Sequence, residues 1–210
     1  MRAHRHRVIP HGERGMTMLE VLITIVILAF GLLGIAGLQA RMQVAEIEAY
    51  QRAQAVVLLQ EMVDRINANR NDAMSYNGIA VGTGNSSVPA NCAGLTGKNL
   101  DECEWHYALL GASEKTSGSQ NIGAMIDARG CVANTVATMP REFLVSVVWQ
   151  GLAPTAAPPA AITCGSGSYT PDTTRRAIVA RVQFGCLLTA IDGTCCRTIN
   201  TTTNLCETFP

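Results

Sequence analysis

The feature that most constrains this chain is a run of twenty residues without a charge, VLITIVILAFGLLGIAGLQA, between Glu20 and Arg41. At about 1.5 Å of rise per residue such a helix runs roughly 30 Å, the hydrocarbon thickness of a bilayer. It reads as a membrane span. Of the 210 residues 48% are hydrophobic and 15% charged, too apolar for a disordered chain, so a modest globular domain should follow the span.

Charge distribution orients the span. The net charge is zero, yet residues 1–15 carry Arg2, Arg5, Arg7 and Arg14 against Glu13, a local +3. Positive flanks stay cytoplasmic, which sends the rest of the chain outward. Without residues 1–15 there remain 12 basic and 15 acidic side chains, a net −3, and nothing in that balance favours nucleic acid. All eight cysteines (Cys92, Cys103, Cys131, Cys164, Cys186, Cys195, Cys196, Cys206) fall in the exported part, where an oxidising periplasm permits disulfides. An even count allows four bridges, and the spacing does not choose among the 105 pairings.

An ordinary secretory signal has a shorter apolar core followed by a small-residue cleavage site. Here the apolar run is longer, no A-x-A ends it, and a glycine stands before it, in RG-MTMLEVLITIVIL. These residues resemble the prepilin motif of type IV pilins and type II secretion pseudopilins: a basic leader ending in Gly15, then Met16, Thr17 and a glutamate, Glu20, fifth after the glycine. The resemblance implies cleavage after Gly15 by a membrane-embedded aspartic peptidase and methylation of the new N-terminus at Met16. Methionine replaces the phenylalanine common in major pilins, which points to a minor subunit.

A carboxylate at the edge of an apolar helix costs about 2–3 kcal/mol or more if left unpaired in lipid, so Glu20 calls for a partner. The helix dipole favours an acid in this first turn. The resemblance supplies the partner: the α-amine freed on a neighbouring subunit, which sets axial register. A glutamate that snorkels to the headgroups of a plain signal anchor is the simpler alternative.

No proline lies between Pro10 and Pro89, and an apolar face continues past the lipid as Ala49, Ala53, Val56, Leu59, Val63 and Ile66. A helix over about residues 17–69 would be roughly 80 Å long. Gly31, Gly34 and Gly37 interrupt its apolar half, as soft points or as sites of close helix packing. The expected organisation is a cleaved leader 1–15, a membrane or filament-core half of the helix 16–40, an amphipathic half 41–70, and a periplasmic domain 71–210.

Within that domain residues 75–97, rich in Gly, Asn and Ser, read as a loop. NLDECEWHYALLGA reads as a short helix with a capping box from Asn99 to Glu102 and a face of Leu100, Cys103, Tyr107 and Leu110. Asp101, Glu102 and Glu104 would complement its dipole. Three strands are predicted, over 124–133, 142–150 and 176–186. In the second, Phe143, Val145, Val147 and Trp149 share one face; in the third, Ile178, Ala180, Val182 and Phe184 do. Residues 151–174, with Pro154, Pro158, Pro159 and Pro171, form an exposed excursion.

The fold class expected is α+β, type IV pilin-like: a long helical spine on a small antiparallel sheet with disulfide-stapled loops. The order of long helix, Trp-bearing helix, VSVVWQG strand, cysteine-bearing loop and RRAIVARV strand resembles the PilV-type minor pilins, or pilus modification proteins. Adjacent Cys195 and Cys196 should pair with different partners. A metal site has little support, with no C-x-x-C and His106 alone after the leader.

No nucleophile motif, Walker loop or dinucleotide fingerprint occurs, and the glycines of CGSGS at 164–168 read as a turn. The expectation is a structural subunit without cofactor or enzymatic activity. As a minor pilin it would start pilus assembly or sit at the tip, with major and minor pilins, the prepilin peptidase, the inner-membrane assembly platform and a tip adhesin as partners. It would reside in the inner membrane first and on the cell surface later. A type II secretion pseudopilin is the nearest rival. A membrane-anchored periplasmic binding protein or enzyme is a rival of another class, and DNA capture by a competence pilus a third.

Overall fold

The computed structural model describes residues 15, 17–112, 125–136, 141–185, 188–189, 195–199 and 206–208, the last three segments by their backbone. Helix α1 is Met18–Ala68, uninterrupted through Gly31, Gly34 and Gly37. A 3-10 turn, Arg70–Tyr76, leads to strand β1, Ala80–Gly82, and then to helix α2, Gly97–Leu109. Strands β2 (Arg129–Val136), β3 (Arg141–Gln150) and β4 (Arg175–Phe184) complete a four-stranded antiparallel sheet in the order β1-β2-β3-β4. A three-stranded antiparallel sheet, β5 (Leu188–Thr189), β6 (Cys195–Ile199) and β7 (Cys206–Thr208), ends the described chain. The long apolar helix, the small antiparallel sheet and the disulfides make the α+β architecture expected of a pilin-like chain.

The molecule divides into two compact units at Glu46/Ile47, inside α1. In the first unit every described residue is exposed. In the second, α1 lays Ala55, Leu58, Leu59, Met62 and Ile66 into one core with Tyr76, Trp105, Leu109 and the inner faces of β3 and β4. The inner face of β3 is the predicted one, with Phe143, Val145, Val147 and Trp149 all buried. In β4, Val182 and Phe184 are buried while Ile178 and Ala180 pack against the core, again as the alternation requires.

Two predicted faces are the buried ones only in part. On α1, Leu59 and Ile66 are buried and Val63 packs against the core as predicted, but Ala49, Ala53 and Val56 are exposed, and Gln51, Ala55, Leu58 and Met62 complete the buried stripe. Apolar residues surround this part of the helix, so periodicity allowed more than one stripe and sheet geometry selected among them. On α2 Cys103 is buried as predicted, but Leu100, Tyr107 and Leu110 are only half-buried, and the rest of the buried stripe is Asp101, Trp105 and Leu109, at i, i+4 and i+8. Trp105 is fully buried and its Nε1 donates to Leu58 O on α1 at 2.9 Å. Its ring presses on β2 so closely that a Cβ on Gly130 would lie 2.3 Å from Cη2, which makes glycine obligatory there.

The capping box from Asn99 to Glu102 is not formed. The N-cap is Thr96, whose side chain makes no capping bond, so Asn99 lies inside the helix and Glu102 pairs with Lys98. The strand predicted over 124–133 begins at Arg129 and extends to Val136, because Ile126 and Asp127 turn, with Asp127 at φ +50°. The loop predicted over 75–97 contains β1, too short to give a period. Residues 151–174 are largely exposed, as predicted, yet anchored: Tyr169 Oη donates to Asp127 O at 2.7 Å, and buried Arg175 donates to Ile162 O and Cys164 O.

Candidate functional site

The chemistry predicted for the N-terminus centres on Gly15, Met16 and Glu20. Gly15 is exposed with open space where a side chain would stand; Met16 and the leader residues 1–14 lie outside the described residues. Thr17 caps α1: its Oγ1 accepts from Glu20 N at 3.3 Å, while its carbonyl accepts from Glu20 N at 3.0 Å and from Val21 N at 3.3 Å. Threonine followed three residues later by glutamate is the usual pattern of a helix start. The spacing of Thr17 and Glu20 in the sequence carries this signal.

Glu20 therefore occupies the first turn of α1, where the free N–H groups and the helix dipole favour its charge. Its carboxylate is exposed and pairs with no basic group among the described residues. Behind it the side chains from Val21 to Leu38 stand open on all sides of the helix. Each large apolar side chain moved out of water contributes about 1.5–3 kcal/mol, so this surface demands lipid or other apolar helices around it. The helix is long and apolar enough to cross a membrane and lies near the N-terminus, which fits an inner-membrane-anchored chain.

In the second unit the acids predicted to complement the dipole of α2 do something else. None lies in its first turn. Asp101 is buried and accepts from Arg65 Nη1 at 2.8 Å, from Asn69 Nδ2 at 3.0 Å and from Tyr76 Oη. Arg65 also reaches Glu61 and Glu104, each at 2.7 Å. Burial works against the Arg65 charge, but hydrogen bonds to Glu61, Asp101 and Glu104 outweigh it and raise the guanidinium further. Burial first, and then the bond to Asp101, raises the Tyr76 hydroxyl. This network ties α1, the 3-10 turn and α2 together through groups that satisfy one another, so it is a structural fastening rather than a reactive site. An i, i+4, i+8 reading of Asp101, Trp105 and Leu109 would have exposed it.

His106 is likewise absorbed by structure. Gly82 N donates to its Nδ1 at 3.1 Å, which requires the neutral ring, and burial lowers its pKa below the ordinary histidine value. No cluster of potential metal ligands occurs among the described residues.

Among the eight candidate cysteines two bridges are described, a pairing the sequence left open. Cys92–Cys103 ties the loop before α2 to that helix, and Cys131–Cys164 ties β2 to the proline-rich excursion. The spans are 11 and 33 residues. Loop closure alone then contributes about 3 and 4 kcal/mol, the larger for the excursion. Cys195 and Cys196 lie on β6 and Cys206 on β7, with Cα registers Leu188↔Cys196 and Ile199↔Cys206; Cys186 lies outside the described residues. CGSGS is a turn, with Ser166 N donating to Thr163 O and Ser168 N to Gly165 O.

Comparison with known families agrees with this anatomy. Residues 10–36 match the prokaryotic N-terminal methylation motif, and residues 37–104 match the Tt1218-like family, described as type IV pilin Tt1218. No curated protein and no solved structure matches the chain. The chain thus carries a methylation motif followed by a type IV pilin domain, the marks of a pilin-type structural subunit and not of an enzyme. Such a subunit interacts with other pilins and with the prepilin peptidase.

Proposed function

We propose that the chain is a minor pilin of the PilV type, which joins a low-abundance complex that starts type IV pilus assembly or sits at the pilus tip. The prepilin peptidase cuts after Gly15 and methylates Met16. In the membrane the chain waits as a single-pass protein with its N-terminus cytoplasmic and its domain periplasmic; in assembly it leaves the lipid for the filament, in contact with major and minor pilins, the assembly platform and a tip adhesin. The observation that carries the reading is Glu20, a carboxylate without an ion-pair partner among the described residues, in the first turn of an exposed apolar helix. A charge so placed needs a counter-charge, and the α-amine of a neighbouring processed chain supplies one.

Mass spectrometry of the native protein tests the processing step: the first residue should be N-methylated Met16, and retention of residues 1–15 overturns it. Glu20→Ala tests the pairing. It should insert in the membrane normally and be missing from sheared pili, whereas normal incorporation refutes the role.

A further inference from the structure

A polar cleft of about 360 Å³ opens on the outer face of the β1–β2 ladder, a size within the range of small-molecule sites. Its floor is made by the register pairs Ala80↔Cys131 and Val81↔Gly130, with Arg129 beside them; one wall is the turn 83–87 and the other the loop 163–168 that the Cys131–Cys164 bridge holds in place. The cleft is thus built from two loops fastened to one sheet edge.

Arg129 contributes the only formal charge in the lining. It is held from three sides. Its Nη2 pairs with Asp127 Oδ1 at 3.1 Å, its guanidinium lies 5.9 Å from the centre of the Tyr169 ring, and a Cβ on Gly84 would meet Nη1 at 3.3 Å, so the glycine lets the turn close over the guanidinium. Its Nε is buried without an acceptor among the described residues. A guanidinium oriented this firmly, with a donor unused, is prepared for a further acceptor. Around it the hydroxyls of Ser86, Ser87, Thr163 and Ser166 line the cleft and form no hydrogen bond within the described residues.

We propose that this cleft binds a saccharide unit bearing one carboxylate, the acidic-sugar class, with the carboxylate on Arg129 and the ring hydroxyls on the serine and threonine side chains. Charge selects the ligand. With Asp127 at 3.1 Å from the same guanidinium, an incoming anion meets a like charge, and a phosphate dianion is repelled more strongly than a monoanionic carboxylate. Hydroxyl donors and acceptors on both walls match a polyhydroxylated ring and give an apolar ligand nothing to exchange for its contacts. The inference is independent of filament entry, since the cleft lies wholly in the second unit.

The test titrates the full chain in polyoxyethylene-ether micelles, free of sugar headgroups, with glucuronate, glucose and inorganic phosphate by saturation-transfer NMR. Glucuronate should bind saturably, and glucose and phosphate about tenfold or more weakly. Arg129→Gln should weaken glucuronate by a similar factor. Ser166→Trp, on an exposed position, should block the cleft without disturbing Arg129, so it keeps the test valid if the arginine variant misfolds. Absence of glucuronate binding, phosphate bound as well as glucuronate, or binding unchanged by Ser166→Trp each overturns the proposal.

Discussion

The two stretches of α1 share one secondary structure and answer to different solvents. Residues 18–46 are exposed throughout, while from Ile47 onward the same helix buries Ala55, Met62 and Ile66 and anchors Arg65 in a network with Asp101. In the second stretch one face of the helix finds its partners within the chain. In the first it supplies a cap, Thr17, and a carboxylate, Glu20, unpaired among the described residues, and leaves the apolar surface to its surroundings. A helix thus carries no information about its environment until one asks which side chains its own fold covers.

If the stretches are independent, damage to one must leave the other's readout intact. The largest effect is expected from Trp105→Ala, which empties a fully buried site and removes the bond to Leu58 O. Urea denaturation should report a loss of about 3–5 kcal/mol with membrane insertion unchanged. A fall in insertion would break the separation. Next come the bridges. The Cys131→Ser/Cys164→Ser pair should cost about 4 kcal/mol and the Cys92→Ser/Cys103→Ser pair about 3, measured the same way, and the reverse order would show that native-state strain rather than loop length governs them.

A pH effect should belong to the second unit alone. His106 has a folded pKa below its unfolded value, so the unfolded chain takes up the proton first. Its contribution to stability is complete above about pH 6.5 and is lost as pH falls through the lowered value, because protonating Nδ1 breaks the bond from Gly82 N. Thermal melts from pH 7.5 to 5 should decline in the wild type and flatten in His106→Gln; an equal decline in both assigns the effect elsewhere. The smallest change is expected from Glu48→Ala, near the start of the second stretch. The carboxylate accepts from Arg176 Nη2 and Leu152 N, each at 3.1 Å, but is partly exposed, so the loss should be about 1 kcal/mol or less. A larger loss would make this pair a major fastening of the helix.

The sheet was legible where burial imposed alternation. In β3 the period of two sets Phe143, Val145, Val147 and Trp149 on the core face, although Ser146 and Val148 on the other face are buried as well. Strand β1 was not legible, because three residues within a Gly- and Ser-rich stretch have no period to read. The stripes of α1 and α2 were legible only in part, since a helix that is apolar on most sides, or that buries an aspartate, offers no single face to hydropathy. The N-terminal site was the reverse case. Gly15, Met16 and Glu20 stood out by type and spacing, and only the Thr17 cap was overlooked.

Sequence alone determined what is local: the uncharged run after Glu20, the acid in the first helical turn, the alternation of the central strands and the absence of a reactive motif. Each follows from residue type and spacing along a single element. Tertiary structure decided what depends on partners distant in the chain. Asp101 became a buried acceptor rather than a dipole complement, Cys131 met Cys164 across 33 residues, and Arg129 came to floor a cleft between two loops. Burial and hydrogen-bond satisfaction are properties of packed neighbours, and neighbours so far apart in sequence leave no periodic trace in it.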